Sequence, residues 1–269
     1  VLNQIQQDKN QIQITNLVGS SMSFVISETF KKDDKSYLLI FNDKEEAAYH
    51  LNDLEQLLTQ KRVLFYPGSY RRPYQIEETD NANVLMRSEV LNRINSRKKP
   101  TIIVSYPEAL FEKVVTKKDL ERNTLKLSVS ESVSLDFVNE ILFEYNFNRV
   151  DFVTEPGDFS VRGGIIDVFS FSNDEPFRIE FFGDEIDSIR TFDVETQLSK
   201  EKLRKASVMS NVENKTLQEK RESFLQYIAS NTVIFLKNKD LLIGKLDKLF
   251  VRAESAFSEL SKELNHAKR

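Results

Sequence analysis

The chain has 269 residues, of which 40% are hydrophobic and 30% charged, and it contains no cysteine. This length favours two domains over one, and the absence of cysteine excludes disulfide bonds, thiolate nucleophiles and cysteine-ligated zinc. The chain has no long apolar run, and its first residues lack the pattern of a signal peptide. We therefore expect a soluble, cytoplasmic protein with no membrane partner.

Charge is unevenly distributed, although the net charge is only −4. Residues 1–123 carry 18 basic and 17 acidic side chains, residues 124–200 carry 6 and 16, and residues 201–269 carry 14 and 9. These counts give net charges of +1, −10 and +5. The acidic middle segment disfavours contact with a nucleic-acid backbone and makes its few arginines conspicuous.

The first 123 residues favour an open parallel sheet flanked by helices. Short buried strands that are separated by helices are typical of a sheet covered on both faces. Apolar segments predicted as strands lie at 37–41, 63–66 and 101–105, and segments of helical periodicity lie at 22–32, 43–60 and 81–98.

A nucleotide-binding loop would lie just before the first predicted helix. It needs the pattern G-x-x-x-x-G-K-[ST], because glycines let backbone N–H groups approach phosphate and the lysine reaches the β and γ oxygens. The corresponding positions here are Asn16, Gly19, Ser21, Met22 and Ser23. Asn16 and Ser21 replace the two glycines and Met22 replaces the lysine, so only Ser23 fits. Taken alone, the segment is typical of a serine-rich helix N-terminus.

From residue 124 the pattern becomes that of a small α+β domain. One helix is predicted at 135–145, and the short alternating segments that follow it are typical of an antiparallel meander. These segments lie at 150–154, 158–162, 165–171, 177–182 and 186–192.

The last segment returns to helical periodicity, with helices predicted at 216–230 and 238–267 around one strand at 232–236. The simplest organisation is an α/β domain formed by residues 1–123 and 201–269. An α+β domain of residues 124–200 is then inserted into it.

Alternation in the segment 177–182 places Arg178, Glu180 and Phe182 on one face of a strand. An arginine and a phenylalanine that face outward on a rigid strand are typical of a binding hot spot. The alternative is structural: Phe182 packs beneath a loop, and Arg178 pairs with Glu180 or Asp167.

No group of residues predicts catalysis or metal binding. The two histidines, His50 and His266, have neither a nucleophile motif nor a metal-ligand spacing beside them. The carboxylate pair Asp184-Glu185 is adjacent in sequence, so its members point apart in an extended chain. We therefore expect no catalytic residue, no metal and no cofactor.

The sequence resembles the bacterial transcription-repair coupling factors, the Mfd family. The resemblance lies in GDFSVRGGIIDVF at 157–169 and PFRIEFFGDEIDSIRTFDVETQ at 176–197, and it extends more weakly over the whole chain. It implies the amino-terminal, UvrB-like module of that family. The implied fold is a RecA-like open parallel sheet with a degenerate phosphate loop and an inserted UvrA-binding domain.

The resemblance also implies a function. This part of the family recruits UvrA without catalysis, and Arg162, Arg178 and Phe182 are the implied UvrA-binding residues. An acidic patch on UvrA is the expected complement of the arginines. The resemblance further implies a longer polypeptide with an ATP-dependent translocase on double-stranded DNA, an RNA polymerase-binding domain and a carboxy-terminal domain that masks the UvrA-binding face.

Two alternatives stay open at this point. A UvrB-type ATP-dependent excision-repair subunit that binds damaged DNA shares the layout but keeps an intact phosphate loop and a long aromatic β-hairpin. The interval 66–87 is short for that hairpin and the helix that follows it. A nucleic-acid-binding domain would use the basic third segment, and the acidic middle segment argues against it.

Overall fold

The computed structural model describes residues 12–58, 63–69, 81–96, 99–211 and 220–267. The helices, numbered in chain order, are α1 (Ser21–Phe30), α2 (Lys44–Leu57), α3 (Asn81–Ser96), α4 (Pro107–Phe111), α5 (Lys117–Arg122), α6 (Leu135–Glu144) and α7 (Lys239–Ala267). The strands are β1 (Tyr37–Ile40), β2 (Val63–Phe65), β3 (Ile102–Ser105), β4 (Val114–Val115), β5 (Thr124–Ser128), β6 (Asn148–Arg149), β7 (Asp158–Arg162), β8 (Ile165–Val168), β9 (Phe177–Phe182), β10 (Glu185–Phe192), β11 (Ser199–Leu203), β12 (Lys205–Met209), β13 (Arg221–Glu222) and β14 (Val233–Leu236). Within these described ranges, no helix is both long enough and apolar enough to cross a membrane.

The chain divides into two compact units. Unit 1 comprises residues 1–68, 97–113 and 223–269, and unit 2 comprises residues 69–96 and 114–222.

The bounds of unit 2 differ from those predicted for the inserted domain, because the unit also takes in residues on either side of 124–200. Helix α3 is one such addition, and its Val84 lies in the hydrophobic core of unit 2. The predicted division into separable domains of residues 1–123 with 201–269 and of residues 124–200 stays a prediction.

Unit 1 is built on a four-stranded parallel sheet with the strand order β14-β1-β3-β2. Strand β1 pairs in parallel with β14 on one side and with β3 on the other. All residues of β1 and β3 are buried, as expected for central strands whose two faces are both covered. The predicted parallel sheet is thereby confirmed.

In unit 1, hydrogen bonds from two acidic side chains fix the start of helix α2. The Asp43 carboxylate accepts a hydrogen bond from the backbone N–H of Glu46 at 2.8 Å, and the Glu46 carboxylate accepts one from the backbone N–H of Asn42 at 3.0 Å. The arrangement resembles a capping box, except that Glu46 accepts from Asn42, the residue before the N-cap Asp43, and not from Asp43 itself.

Unit 2 contains a six-stranded sheet with the strand order β11-β10-β9-β8-β7-β6. Neighbouring strands are antiparallel, except that β6 is parallel to β7. The sheet confirms the predicted meander. Both of its tight hairpins have glycine as the first turn residue, Gly163 with φ +59° and Gly183 with φ +61°, which is the position that a type II′ turn gives to glycine.

The meander buries one of its faces. The core of unit 2 combines this face with helices α3 and α6 and with the β5–β12 pair. Its buried members on the six-stranded sheet are Phe159, Ile166, Val168, Phe177, Ile179, Ile186 and Ile189.

Two sequence-predicted elements are wrong. Residues 150–154 form no strand; β6 lies just before them, and Val153 instead packs with Phe169 and Phe192 in a small separate cluster. In the predicted helix 216–230, the described residues 220–230 form β13 and a 3₁₀ turn at Phe224–Gln226. The remainder of that predicted helix, 216–219, lies outside the described residues.

Strands β11 and β12 were not predicted. Strand β11 pairs with the edge of the meander at β10, and β12 pairs with β5 in unit 2. Residues 199–209 therefore extend the sheets of unit 2.

Candidate protein interface on the unit 2 sheet

The six-stranded sheet presents a polar face on the side opposite its core. Successive residues of a strand point to opposite faces, so the neighbours of the buried residues in β7 to β10 point outward. We call these residues the outer face: Ser160, Arg162, Ile165, Asp167, Arg178, Glu180, Phe182, Ser188 and Arg190.

The strand register arranges the outer face in two rows. One row runs across four strands through Ser160, Asp167, Arg178 and Arg190. The next row on this face, two residues nearer the hairpin turns, contains Arg162, Ile165, Glu180 and Ser188. Opposed residues on one face lie about 5 Å apart, so charged side chains of adjacent strands meet directly.

Asp167 is the centre of the first row. Its side chain is 1% exposed, and its two oxygens accept hydrogen bonds from Arg178 Nε at 2.7 Å and Arg178 Nη2 at 2.8 Å. Arg178 Nη1 donates to the backbone oxygen of Gln197 at 3.0 Å. The hydrogen bond with Asp167 raises the pKa of Arg178 above its ordinary value, so this guanidinium stays charged and fixed.

Arg162 shares the same carboxylate. Its Nη2 donates to Asp167, while its guanidinium carbon lies 5.6 Å from the centre of the Phe152 ring, within the range of a cation–π contact. The Arg162 side chain is 43% exposed. One buried carboxylate thus serves two guanidinium groups, one held inside and one reaching into solvent.

Phe182 is the last residue of β9, and 84% of its surface is exposed to solvent. It immediately precedes Gly183, just as Arg162 immediately precedes Gly163. Strands β7 and β9 run in the same direction on either side of β8, so both hairpin turns lie at the same end of the sheet.

The structure therefore places Arg162, Arg178 and Phe182 on one face of the sheet. The three side chains differ in how far they are exposed to solvent. The alternative in which Phe182 packs beneath a loop does not occur. The alternative in which Arg178 pairs with Asp167 does occur, and the Arg178 side chain is only 16% exposed. Arg162 and Phe182 are the accessible members of the predicted set.

Arg190 is an outer-face residue that the sequence reasoning missed as a site residue. It pairs with Glu180, which also accepts a hydrogen bond from Ser188 Oγ at 2.6 Å. The bond from Ser188 and the charge of Arg190 hold the pKa of Glu180 below its ordinary value. The signal that could have found Arg190 is the spacing of three residues between the buried Ile186 and Ile189.

A shallow cleft of about 420 Å³ opens on the outer face. We call it the arginine cleft; it is lined by Arg162, Ile165, Arg178, Glu180, Arg190, Gln197 and Ser199. Phe152, 61% exposed, lines a neighbouring depression of about 420 Å³ on the far side of Arg162. Exposed aromatic rings around a cluster of arginines are the composition of a protein interface.

The residues of the predicted phosphate loop lie in unit 1 and make internal contacts. Met22 is buried, and the Ser23 hydroxyl lies 2.7 Å from His50 Nδ1 and 3.1 Å from Asp53 Oδ2. Gly19 belongs to the turn before α1, with φ +55°. In the described part of the chain, no group of histidine and acidic side chains has the arrangement of a metal site.

Comparison with known proteins finds a match for the segment that contains this face. Residues 125–213 match the family model of the UvrB interaction domain, and this range contains the entire outer face. The matched segment lies within unit 2.

Curated relatives extend the comparison beyond unit 2. The chain is 28% identical to the transcription-repair-coupling factor of Bacillus subtilis over 204 residues, which are 76% of this chain and 17% of the relative. It is 33% identical to that of Staphylococcus haemolyticus, over 73% of this chain and 17% of the relative. With that of Staphylococcus aureus (strain bovine RF122) it is 33% identical over 77% of this chain and 18% of the relative.

The chain thus belongs to the transcription-repair coupling factor family, and it spans about a sixth of the length of these curated relatives.

Proposed function

We propose that the outer face of unit 2 binds UvrA and that the chain serves as the non-catalytic UvrA-recruiting module of a transcription-repair coupling factor. In this role it links stalled transcription to nucleotide excision repair. ATP-driven movement on double-stranded DNA, RNA polymerase binding and masking of the face by a carboxy-terminal domain belong, in the same proposal, to the longer protein.

The observation that carries this proposal is the position of Phe182. A phenylalanine that is 84% exposed beside the turn of a hairpin leaves a large apolar surface in water, and such surfaces mark interaction sites. Arginines on the same face add the residue type most enriched with aromatics at binding hot spots. The match to the UvrB interaction domain covers these residues.

Isothermal titration of the chain with purified UvrA tests the proposal. Phe182→Ala should weaken binding by about 2 kcal/mol, roughly 30-fold, as expected for a central aromatic anchor. Phe137→Ala is the matched control, because Phe137 is 47% exposed on α6, the helix that covers the opposite face of the sheet. Equal affinities for the wild type and for Phe182→Ala would contradict the proposal.

The same proposal includes a phosphate loop that has lost its function. Met22 brings no charge to a phosphate, and Ser23, the one residue that fits the loop pattern, is engaged with His50 and Asp53. Phosphate binding requires backbone N–H groups and a lysine that reach the ligand. Titration with an ATP analogue and magnesium should give no heat of binding. Micromolar affinity would instead support the alternative of a UvrB-type ATP-dependent subunit.

A further inference from the structure

Strand β14 lies at one edge of the sheet of unit 1, and in the described part of the chain it pairs only with β1. We propose that the outer edge of β14 pairs in parallel with a further β-strand, supplied by the part of the coupling factor outside these 269 residues. The inference rests on the proposed function, because it takes the chain to be part of a longer coupling factor. It concerns unit 1, however, and not the face that binds UvrA in that proposal.

The outer edge of β14 offers backbone hydrogen-bond donors. The N–H of Val233 donates to the backbone oxygen of Ser36 at 2.9 Å, and the N–H of Lys237 donates to that of Ile40 at 3.1 Å. Successive residues of a strand present their N–H groups on alternate sides, so those of Ile234 and Leu236 point away from β1. Such outward donors are the template to which another strand can be added.

The composition of β14 is that of an interior strand. Its sequence VIFL contains no charge and no proline, although Ile234 and Leu236 are 46% and 41% exposed. The edge strand β11 of unit 2, SKEKL, is instead mostly exposed and rich in charged residues. Charged side chains protect a sheet edge that remains in water, whereas an apolar edge is prone to pair with another strand.

Helix α7 also has an exposed apolar surface. Ile243, Phe250 and Phe257 recur at intervals of seven residues, so they form a stripe along one side of the helix. All three are exposed, Phe250 by 62% and Phe257 by 73%. Large apolar side chains in a row mark a contact surface, so the element that follows β14 also has a surface suited to burial.

The topology of unit 1 identifies the segment that could supply the strand. Helix α7 begins only two residues after β14 and lies beside α4, with Lys245 Nζ 3.8 Å from Glu108 Oε1. A strand, a crossover helix and a neighbouring parallel strand form a βαβ unit, the usual connection between parallel strands. Polypeptide that continues from α7 is therefore placed to return to the open edge of β14.

The length of the relatives supports this source over a second copy of the chain. The chain spans about a sixth of the curated relatives, so most of such a protein lies outside these residues. A second copy related by a two-fold axis would present the same edge in the antiparallel direction, and it would leave the βαβ unit incomplete.

Hydrogen exchange resolved to single amides tests the inference, on the 269-residue chain and on the full-length coupling factor that contains it. The amides of Ile234 and Leu236 should exchange at least 10-fold more slowly in the full-length protein, because each then donates to the added strand. The amides of Val233 and Lys237 are the matched controls, since both already donate to β1 or its flanking residue, and they should be protected in both proteins.

The variant Ile234→Pro sharpens the test, because proline removes one outward N–H and leaves the bonds to β1 in place. In the full-length protein it should return the amide of Leu236 to the fast exchange of the 269-residue chain. Ile234→Ala, which shortens the side chain but keeps the N–H, should leave Leu236 protected. Protection of Leu236 that survives in Ile234→Pro would contradict the added strand. If this variant does not fold, the comparison of the two wild-type proteins decides.

The outcomes separate this inference from the proposed function. Equal exchange of Ile234 and Leu236 in the two proteins, whether fast or slow, overturns the inference alone when UvrA still binds. Protection in the 269-residue chain that rises with its concentration assigns the edge to a second copy and also overturns it. A full-length protein with a protected β14 edge that does not bind UvrA overturns only the proposed function.

Discussion

The two sheets of this protein bury their strands in different ways. In unit 1, the central strands β1 and β3 are buried along their whole length, so neither face of the sheet is available to a partner. In unit 2, β9 alternates between buried and outward-facing residues, so one face is core and the other is surface. The difference teaches that binding residues can be placed on the second sheet without disturbing its core.

The largest expected effects on stability come from asparagine substitutions at adjacent positions of one strand. Leu38→Asn and Leu39→Asn should each destabilise unit 1 by about 3 kcal/mol or more, because both side chains are fully buried and an amide there lacks partners. In β9, Ile179→Asn should be as severe, whereas Glu180→Asn should cost far less. Urea unfolding followed by circular dichroism measures all four; equal effects within the β9 pair would break the comparison.

The next largest effect concerns the charged centre of the outer face. Asp167→Ala should destabilise unit 2 by about 3 kcal/mol, because removal of one partner from a buried ion pair leaves Arg178 with an uncompensated charge. Hydrogen exchange should show lost protection in unit 2 and unchanged protection in unit 1. Glu131→Ala, which removes an exposed carboxylate of unit 2, is the control, and similar losses in both variants would contradict the expectation.

A substitution of Phe182 should affect folding least on the outer face. Phe182→Ser should change the free energy of unfolding by less than about 0.5 kcal/mol, since the ring is almost entirely in water. The melting temperature of the variant, compared with that of the wild type, checks this directly. A loss above about 1 kcal/mol would mean that the ring packs on the protein and is not a free surface.

The smallest predicted effect is a pH dependence confined to unit 1. Burial, and then the nearby charge of Lys237, lower the pKa of His50 below its ordinary value. The folded state therefore favours the neutral ring, and its stabilising contribution is complete above about pH 6.5 and declines as the pH falls below that value. Hydrogen exchange between pH 7.5 and 5.5 should show progressive loss of protection in unit 1.

Unit 2 contains no histidine, so it should keep its protection over the same range. His50→Gln should remove the dependence in unit 1, and His266→Gln, which changes the one other histidine of the chain, should leave it in place. A pH dependence that survives in His50→Gln would show that another group is responsible.

Much of this architecture follows from local patterns. The apolar runs and helical periodicities before residue 111 predicted β1 to β3 and the helices between them, because each element buries enough of its own side chains to be visible. Strand β11, SKEKL at 199–203, is mostly exposed. It exists because the edge of β10 offers it hydrogen bonds, and an edge pairing leaves no apolar pattern in the sequence.

The sequence predicted only those features of the site that follow from alternation within a single strand. Alternation within β9 placed Arg178 and Phe182 on one face. The position of Arg190 depends instead on a bulge in β10 between Ile186 and Ser188. Without the bulge, Ile189 would stand opposite Arg178 and face outward. The spacing of three between Ile186 and Ile189, both buried, is incompatible with simple alternation and is the sequence trace of that bulge.

The shared carboxylate could not be predicted from the sequence. The sequence offers both Glu180 and Asp167 as partners of Arg178. Pairing with Asp167 requires β8 to lie between β7 and β9 in one particular register, which the sequence does not reveal. That register is set by the turn at Gly163-Gly164, where a Cβ atom on Gly164 would lie 3.0 Å from the backbone oxygen of Phe181. The close approach of two backbones at this point is a tertiary property.

Asp167 also has a consequence for how the meander reaches its native alignment. A slip of one residue between strands would turn each displaced side chain to the opposite face, and the slipped β8 would drive Asp167 among Phe159 and Ile179 in the apolar core. An unpaired carboxylate there is strongly unfavourable. Misaligned structures of β8 are therefore much less stable than they would be with an apolar residue at this position. A single acidic side chain thus favours the native register as the sheet folds.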